Sequence, residues 1–294
     1  MIVGEKGIRK HLWIAVFLLP SLIGLGLFKL LPILCSMVLT LFRWDLLTPP
    51  QFVFMQNFNN LIADEVFWSS LAHTLYYIAG YVPMVIVVGL ALALVMNQRL
   101  KGVVIFRTAY FIPVVSSWAA VALLWKWIFN PRFGLLNYIL GLIGIYGPSW
   151  IFDPLWAMPA IIITSVWKDL GFIMTLFLAG LQGIPEIYYD AASIDGAGSV
   201  RKFFAVTVPL LSPTTFFALT ISLIHSFQVF DQVWIMTQGG PAGATAVLVE
   251  QIYKNATAYN RMGYASALSW VLFLLVFSVT GLQMIIQRKW VHYD

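Results

Sequence analysis

Apolar residues run in long blocks along this chain, and polar residues gather between the blocks. A helix needs about 20 apolar residues to cross the ~30 Å hydrocarbon core of a bilayer. Six blocks reach that length, at about 11–35, 71–96, 109–129, 156–181, 206–230 and 264–286. No run gives strong evidence of a strand. The predicted fold class is therefore all-α: a polytopic membrane protein of six transmembrane helices, forming a single domain over residues 1–294. The first block could pass for a signal peptide. It is too long for an h-region and lacks an A-x-A cleavage site, so it reads as an uncleaved span. Pro20, Lys29 and Pro32 predict irregularity or an interfacial end there.

Composition removes the soluble alternative. Of 294 residues, 61% are hydrophobic and only 10% charged, against about 25% charged in an ordinary soluble domain. A soluble chain of this length has too little interior to hide that surface. The net charge of +5 would raise nucleic-acid binding in a soluble protein, but the basic residues form no patch. They punctuate the apolar blocks. Lys6, Arg9, Lys10, Arg99, Lys101, Arg107, Arg201, Lys202, Arg288 and Lys289 fall on one side of the predicted topology, and Arg43, Arg132, Lys254 and Arg261 on the other. The positive-inside rule then places both termini in the cytoplasm. The outer connections, about 41–70, 130–155 and 231–263, are long and rich in Trp, Tyr and Asn. Phe67, Trp68, Trp125 and Trp127 are expected to be interfacial anchors. Cys35 is the one cysteine, which excludes an internal disulfide and any CxxC motif. Leu34 stands where a lipobox requires a small residue, so Cys35 is read as a buried thiol.

One inner connection, 182–205, differs from the rest. Pro185 can open a helix and Glu186 suits its first turn. Residues 188–194 make about two amphipathic turns, and Asp195-Gly196 is a helix stop. Arg201 and Lys202 mark a second helix entering the membrane. Ala191 and Ala192 would admit another protein's surface closely.

This segment resembles the EAA loop of ATP-binding-cassette importer permeases. That motif runs Glu-Ala-Ala, three residues, Gly, nine residues, then Ile-x-Leu-Pro. Asp190-Ala191-Ala192, Gly196 and Val206-Thr207-Val208-Pro209 keep the register, with Asp for Glu and Val for Ile and Leu. Thr237-Gln238-Gly239-Gly240-Pro241 with Thr245 is similar to a TxGGP…T segment of sugar-importer permeases. Residues 125–130 with Gly134 and Asn137 resemble the same family, as does Gly263-Tyr264-Ala265-Ser266-Ala267 at the head of the last span. The nearest branch is the maltose- and glycerol-phosphate-type permeases of carbohydrate uptake.

The resemblance implies one of two permease subunits, with two ATPase subunits below and an extracytoplasmic solute-binding protein above. It implies a bacterial or archaeal cytoplasmic membrane. Tyr189, Asp190, Ala191, Ala192, Asp195 and Gly196 would couple to the ATPase. This chain would then be no enzyme and carry no cofactor, ATP and magnesium belonging to the partner. The substrate implied is a sugar or oligosaccharide, with glycerol phosphate or another polar solute as the alternative.

The chain's own chemistry agrees. The string 196–202 lacks the spacing of a phosphate-binding loop and precedes a span rather than following a strand. His11, His73, His225 and His292 are scattered without HExxH, so no metal site is expected, and no GxSxG offers a nucleophile. The rival is a secondary transporter without an ATPase, which would use buried acids. Asp169 and Asp231 are its candidates. Adjacent Lys168 and Asp169 point about 100° apart on a helix, so each either pairs with a neighbouring helix or contacts substrate. In the fifth span, Ser222, His225, Ser226, Val229 and Gln232 recur at helical spacing on one face. That face either glues helices or lines the substrate path. With Phe172 as an apolar platform and Gln228 beside it, the face would suit a sugar.

Overall fold

The computed structural model describes residues 8–98 and 102–291, without the side chains of residues 8–12 and 104. Lys6, Arg99, Lys101 and His292 lie outside the described residues, as do the side chains of Arg9, Lys10 and His11. Helices α1 (Ile8–Leu25) and α2 (Leu31–Leu39) flank a π-helical turn at Gly26–Leu30. Strands β1 (Phe42–Arg43) and β2 (Gln51–Phe52) precede α3 (Gln56–Ala63) and the long α4 (Glu65–Met96). Next come α5 (Val103–Val115), α6 (Trp118–Ile128), α7 (Leu135–Leu142) and α8 (Pro154–Gln182). Then α9 (Glu186–Ile194) and α10 (Ser199–Lys202) lead through a second π turn, Phe203–Thr207, into α11 (Val208–Leu210) and α12 (Ser212–Phe227). Last are α13 (Asp231–Met236), α14 (Leu248–Thr257) and α15 (Met262–Gln287).

Four stretches among the described residues are long and apolar enough to cross a membrane: Trp13–Leu39, Glu65–Met96, Pro154–Gln182 and Met262–Gln287. Two more are bent, Ile105–Val115 with Trp118–Ile128 by 103° and Ser199–Leu210 with Ser212–Phe227 by 65°. The count is six only if each bent pair is one span. The apolar block 109–129 is therefore not one helix. Its break lies at two serines. Ser116 Oγ donates back to the Ile112 carbonyl at 2.9 Å, and Ser117 Oγ caps α6 by accepting from Ala120 N at 3.3 Å. Serine and threonine favour such local bonds over continuing a helix. The fifth block differs too: its helix starts as early as Ser199, turns at Leu211 and stops at Phe227.

Both π turns have the same cause. Leu31 N bonds Gly26 O, and Val208 N bonds Phe203 O, each reaching back five residues. Each donor immediately precedes a proline, Pro32 or Pro209. A proline has no N–H and its ring crowds the carbonyl four residues back, so the turn widens by one residue.

Two expectations fail here. Cys35 is exposed, because none of the hydropathic window in Trp13–Leu39 is buried within the chain. Its apolar neighbours in sequence suit lipid rather than a protein interior. A strand pair also exists, with Phe42 opposite Phe52 and Arg43 opposite Gln51. Two residues per strand are too few to show a period of two.

The chain forms two compact units, residues 1–64 with 252–271, and residues 65–251 with 272–294. In the first, buried Asn57 donates to the carbonyls of Thr40 and Phe42 at 2.8 and 2.9 Å. Met262 N bonds Trp44 O at 3.0 Å, and Tyr264 OH donates to Asp64 Oδ2 at 2.6 Å. The first turn of α15 is thus tied to the β1–β2 hairpin. In the second unit, α8 is the central element, with 67% of its hydropathic window buried. It packs on α4 and α5, and its Ile161, Met174 and Phe177 are fully buried. Gly171 lies against the Tyr110 carbonyl of α5, where any Cβ would collide.

A Cβ on Gly263 would likewise fall on the Phe42 carbonyl and lie 2.9 Å from Asn57 Nδ2. Gly263→Ala is expected to cost about 1–3 kcal/mol through that overlap. A lowered thermal midpoint of the detergent-solubilised protein would register it, and an unchanged midpoint would refute the contact.

Candidate functional site

A cavity of about 420 Å³ lies within the second unit, where α4, α8, α12 and the α5–α6 break meet. Helix α8 contributes Lys168, Asp169 and Phe172; α4 contributes Tyr77 and Tyr81. These tyrosines are one helical turn apart, and their rings stack at 5.4 Å with 7° between planes. Ser222 and His225 come from α12, Gln228 and Val229 follow it, and Asp231 and Gln232 open α13.

The charges are fixed by their neighbours. Lys168 Nζ donates to the Val114 carbonyl at 3.2 Å and sits 4.9 Å from the centre of the Trp118 ring. Val114 is next to last in α5 and Trp118 is first in α6. The last carbonyls of a helix have no partner within it, and Lys168 supplies one while its charge rests on an aromatic face. Asp169 accepts from Tyr81 OH at 2.7 Å. The adjacent side chains thus face different helices, as their 100° offset requires, yet both reach one cavity. Gln232 Nε2 donates to Tyr77 OH at 3.2 Å and to Ser165 Oγ at 3.3 Å. Ser222 Oγ is buried in the cavity wall without a hydrogen-bond partner. A buried hydroxyl left unpaired costs free energy.

The polar face predicted for the fifth span is only partly realised. Ser222, His225, Gln228, Val229 and Gln232 reach the cavity, but over a helix end and a fresh start rather than along one helix. Ser226 does not line it. It is buried and donates to the Leu223 carbonyl at 2.8 Å. Tyr77, Tyr81 and Trp118 were not singled out from sequence. Two tyrosines four residues apart inside an apolar block were the available signal.

The 186–196 segment forms as its residues dictate. Pro185 precedes α9 in extended conformation and Glu186 opens it. Gly196, at φ +73, closes it in a left-handed C-cap. Its N–H bonds Ser193 O at 3.0 Å and Ala197 N bonds Ala192 O at 2.9 Å, the Schellman pattern. Tyr189 is half-buried, its hydroxyl 3.1 Å from Thr207 Oγ1, and Lys202 Nζ reaches Ser193 Oγ at 2.6 Å. Asp190, Ala191 and Asp195 are exposed and Ala192 is half-buried. No residue of α9 is buried, although Ile187 and Ile194 are large and apolar.

The other motif positions have local structural roles. Thr245 Oγ1 donates to the Gly240 carbonyl at 2.6 Å and lies 2.7 Å from Thr237 Oγ1, closing the Gly-Gly-Pro turn. Asn137 Nδ2 donates to the carbonyls of Pro131 and Pro148 at 3.3 and 3.2 Å, while its Oδ1 accepts from Trp150 Nε1 at 2.6 Å.

Residues 85–292 match the family model for the binding-protein-dependent transport system inner membrane component. The chain belongs to this family. It is 35% identical over 268 residues to the trehalose/maltose transport system permease protein MalF of Thermococcus litoralis, covering 90% of each chain. It is 36% identical over 282 residues to the lactose transport system permease protein LacF of Rhizobium radiobacter, covering 93% of each. Its fold matches a chain of a bacterial alginate ABC transporter crystallised with an alginate pentasaccharide-bound periplasmic protein. The TM-score there is 0.83 at 23% identity, covering 97% of this chain and 98% of that one. As an inner membrane component with several apolar helices, the chain is a multi-pass membrane protein.

Within this permease, Lys168→Met would leave the Val114 carbonyl without its donor. The expected loss is about 1–3 kcal/mol, seen as a lower thermal midpoint. Lys168→Arg, which keeps a donor and the cation–π contact, should recover most of it.

Proposed function

We propose that this chain is one permease subunit of an ATP-binding-cassette importer that moves a sugar or oligosaccharide into a bacterial or archaeal cell. The chain forms one permease domain with six spans, counting each bent pair as one, and both termini in the cytoplasm. It pairs with a second permease. Two separate ATPase subunits bind and hydrolyse ATP, and an extracytoplasmic binding protein delivers the solute. The trehalose/maltose and lactose names of the relatives support the sugar, and the alginate complex supports the binding protein.

The observation that carries the reading is α9. A helix of nine residues that buries none of them gains little from its own chain. Its exposed apolar Ile187 and Ile194 and small Ala191 fit a groove on another protein. It follows α8 after only Gly183, Ile184 and Pro185, so a displacement of α9 bears directly on the helix that holds Lys168 and Asp169. ATP-driven closure of the ATPase pair would supply that displacement.

The cavity then lines the substrate path. Asp169 and Asp231 stand against Lys168 there, which favours a neutral polyol over a phosphate ester. Hydroxyl and amide groups from Ser222 and Gln228 offer hydrogen bonds, and Phe172 and Trp118 offer apolar faces.

Two outcomes are expected. Gly196→Val forces a β-branched residue into the left-handed region and Ala191→Trp fills the docking surface. Each should reduce transport at least tenfold in vesicles while membrane insertion persists, and retention of transport by both would sink the coupling assignment. Ser222→Ala and Gln228→Ala should each raise the transport KM severalfold, whereas Ser226→Ala should leave it within twofold. Equal effects at Ser222 and Ser226 would contradict the assignment of the cavity.

A further inference from the structure

A second cavity, of about 870 Å³, lies wholly within the unit formed by residues 1–64 and 252–271. Its walls are the β1–β2 hairpin and its loop, α3, and the turn between α14 and α15. The topology proposed above puts these segments on the extracytoplasmic face, and the inference rests on that reading. Nothing in the transport path described so far uses them.

The walls are held firmly. Asn57 ties two carbonyls, Gly263 abuts Phe42 O, and Asn260 takes the left-handed conformation, φ +51, that asparagine tolerates. The charges are used unequally. Asp45 Oδ1 is spent on its own loop, accepting from Leu47 N at 3.0 Å, Thr48 N at 2.7 Å and Thr48 Oγ1 at 2.8 Å. The backbone bond from Thr48 chiefly holds its carboxyl below the usual range. Asp64 accepts from Tyr264. The arginines keep their capacity. A guanidinium has five donors. Arg43 gives one bond, to Gln56 Oε1 at 3.0 Å, and Arg261 rests over the Tyr259 ring at 5.9 Å. Both are exposed. Trp44, Tyr259 and Tyr264 add aromatic faces to the lining, and Gln51 and Asn60 add amides.

Under-used guanidiniums among aromatic faces match the residue types that dominate protein–protein hot spots, and a guanidinium fork fits a carboxylate. We propose that this pocket receives an acidic side chain from a surface loop of the solute-binding protein, with Arg43 and Arg261 as its ligands. The pocket is thus a docking socket, separate from the path the sugar follows.

The test uses the assembled importer in nanodiscs and its fluorescently labelled solute-binding protein. Neutralising either arginine (R43Q or R261Q) should weaken docking about three- to tenfold, and the double reversal R43E/R261E more than fiftyfold. R43K/R261K, which keeps the charge, should lie between wild type and the reversal. In the unaltered complex the docking on-rate should fall as salt rises. Recovery of the ATPase subunit with each variant shows that the complex has formed. A double reversal that assembles yet docks within twofold of wild type overturns the proposal and leaves the importer reading standing. Failure of any ATPase to co-purify with the unaltered chain overturns both. Free galacturonate, as a soluble carboxylate, should bind no more tightly to wild type than to the double reversal. Arginine-dependent galacturonate binding with unchanged docking would mark a sugar-acid site instead and overturn the socket.

Discussion

A backbone that crosses lipid must satisfy its own hydrogen bonds, because the solvent offers none. This chain breaks that continuity at Ser116–Ser117, inside an apolar run, and bends by 103°. The contact between Lys168 Nζ and the Val114 carbonyl, 3.2 Å long, is what makes the break tolerable. It occupies an orphaned carbonyl and gives a buried ammonium a partner. Everything around the cavity follows from it. Lys168 faces the α5–α6 break, so Asp169 faces α4 and finds Tyr81, and Tyr81 stacks on Tyr77, which in turn meets Gln232.

Much of this was legible in the sequence, for identifiable reasons. The limits of α8 and α15 emerged from hydropathy because lipid selects on residue type alone. The shape of α9 was readable because Pro185 and Gly196 act through backbone geometry, which is local. The less legible features were tertiary. The hydropathy of 109–129 is continuous across the break, and only a Ser-Ser pair marks it. Ser222 and Ser226 share a helical spacing, yet one lies in the cavity wall and the other turns its hydroxyl back onto Leu223. Spacing places residues on a face; it does not say what covers that face. Cys35 illustrates the same limit, since apolar neighbours in sequence are compatible with a core or with lipid.

The family motifs divide into two physical kinds. Asp190, Ala191 and Asp195 are exposed and their side chains face outward from the chain, where the proposed coupling would use them. Thr245, Asn137 and Gly263 act inward. They close a turn, bridge two loop carbonyls with a tryptophan, and leave room for a passing backbone. A motif therefore marks a constraint, and only the structure shows whether that constraint is contact with a partner or the absence of space.

Helix α8 shows what the absence of space entails. Gly80 and Gly89 of α4 face its Ile162 and Ile173, and its own Gly171 faces Tyr110 of α5, each at a separation no added carbon would survive without adjustment. At these three points the helix is interlocked with its neighbours, so sliding past them like a piston would break all three contacts. Under the coupling proposed above, a push delivered beside Gln182 would turn α4, α5 and α8 together, as a key turns a lock cylinder, and would be transmitted as an angle rather than a stroke.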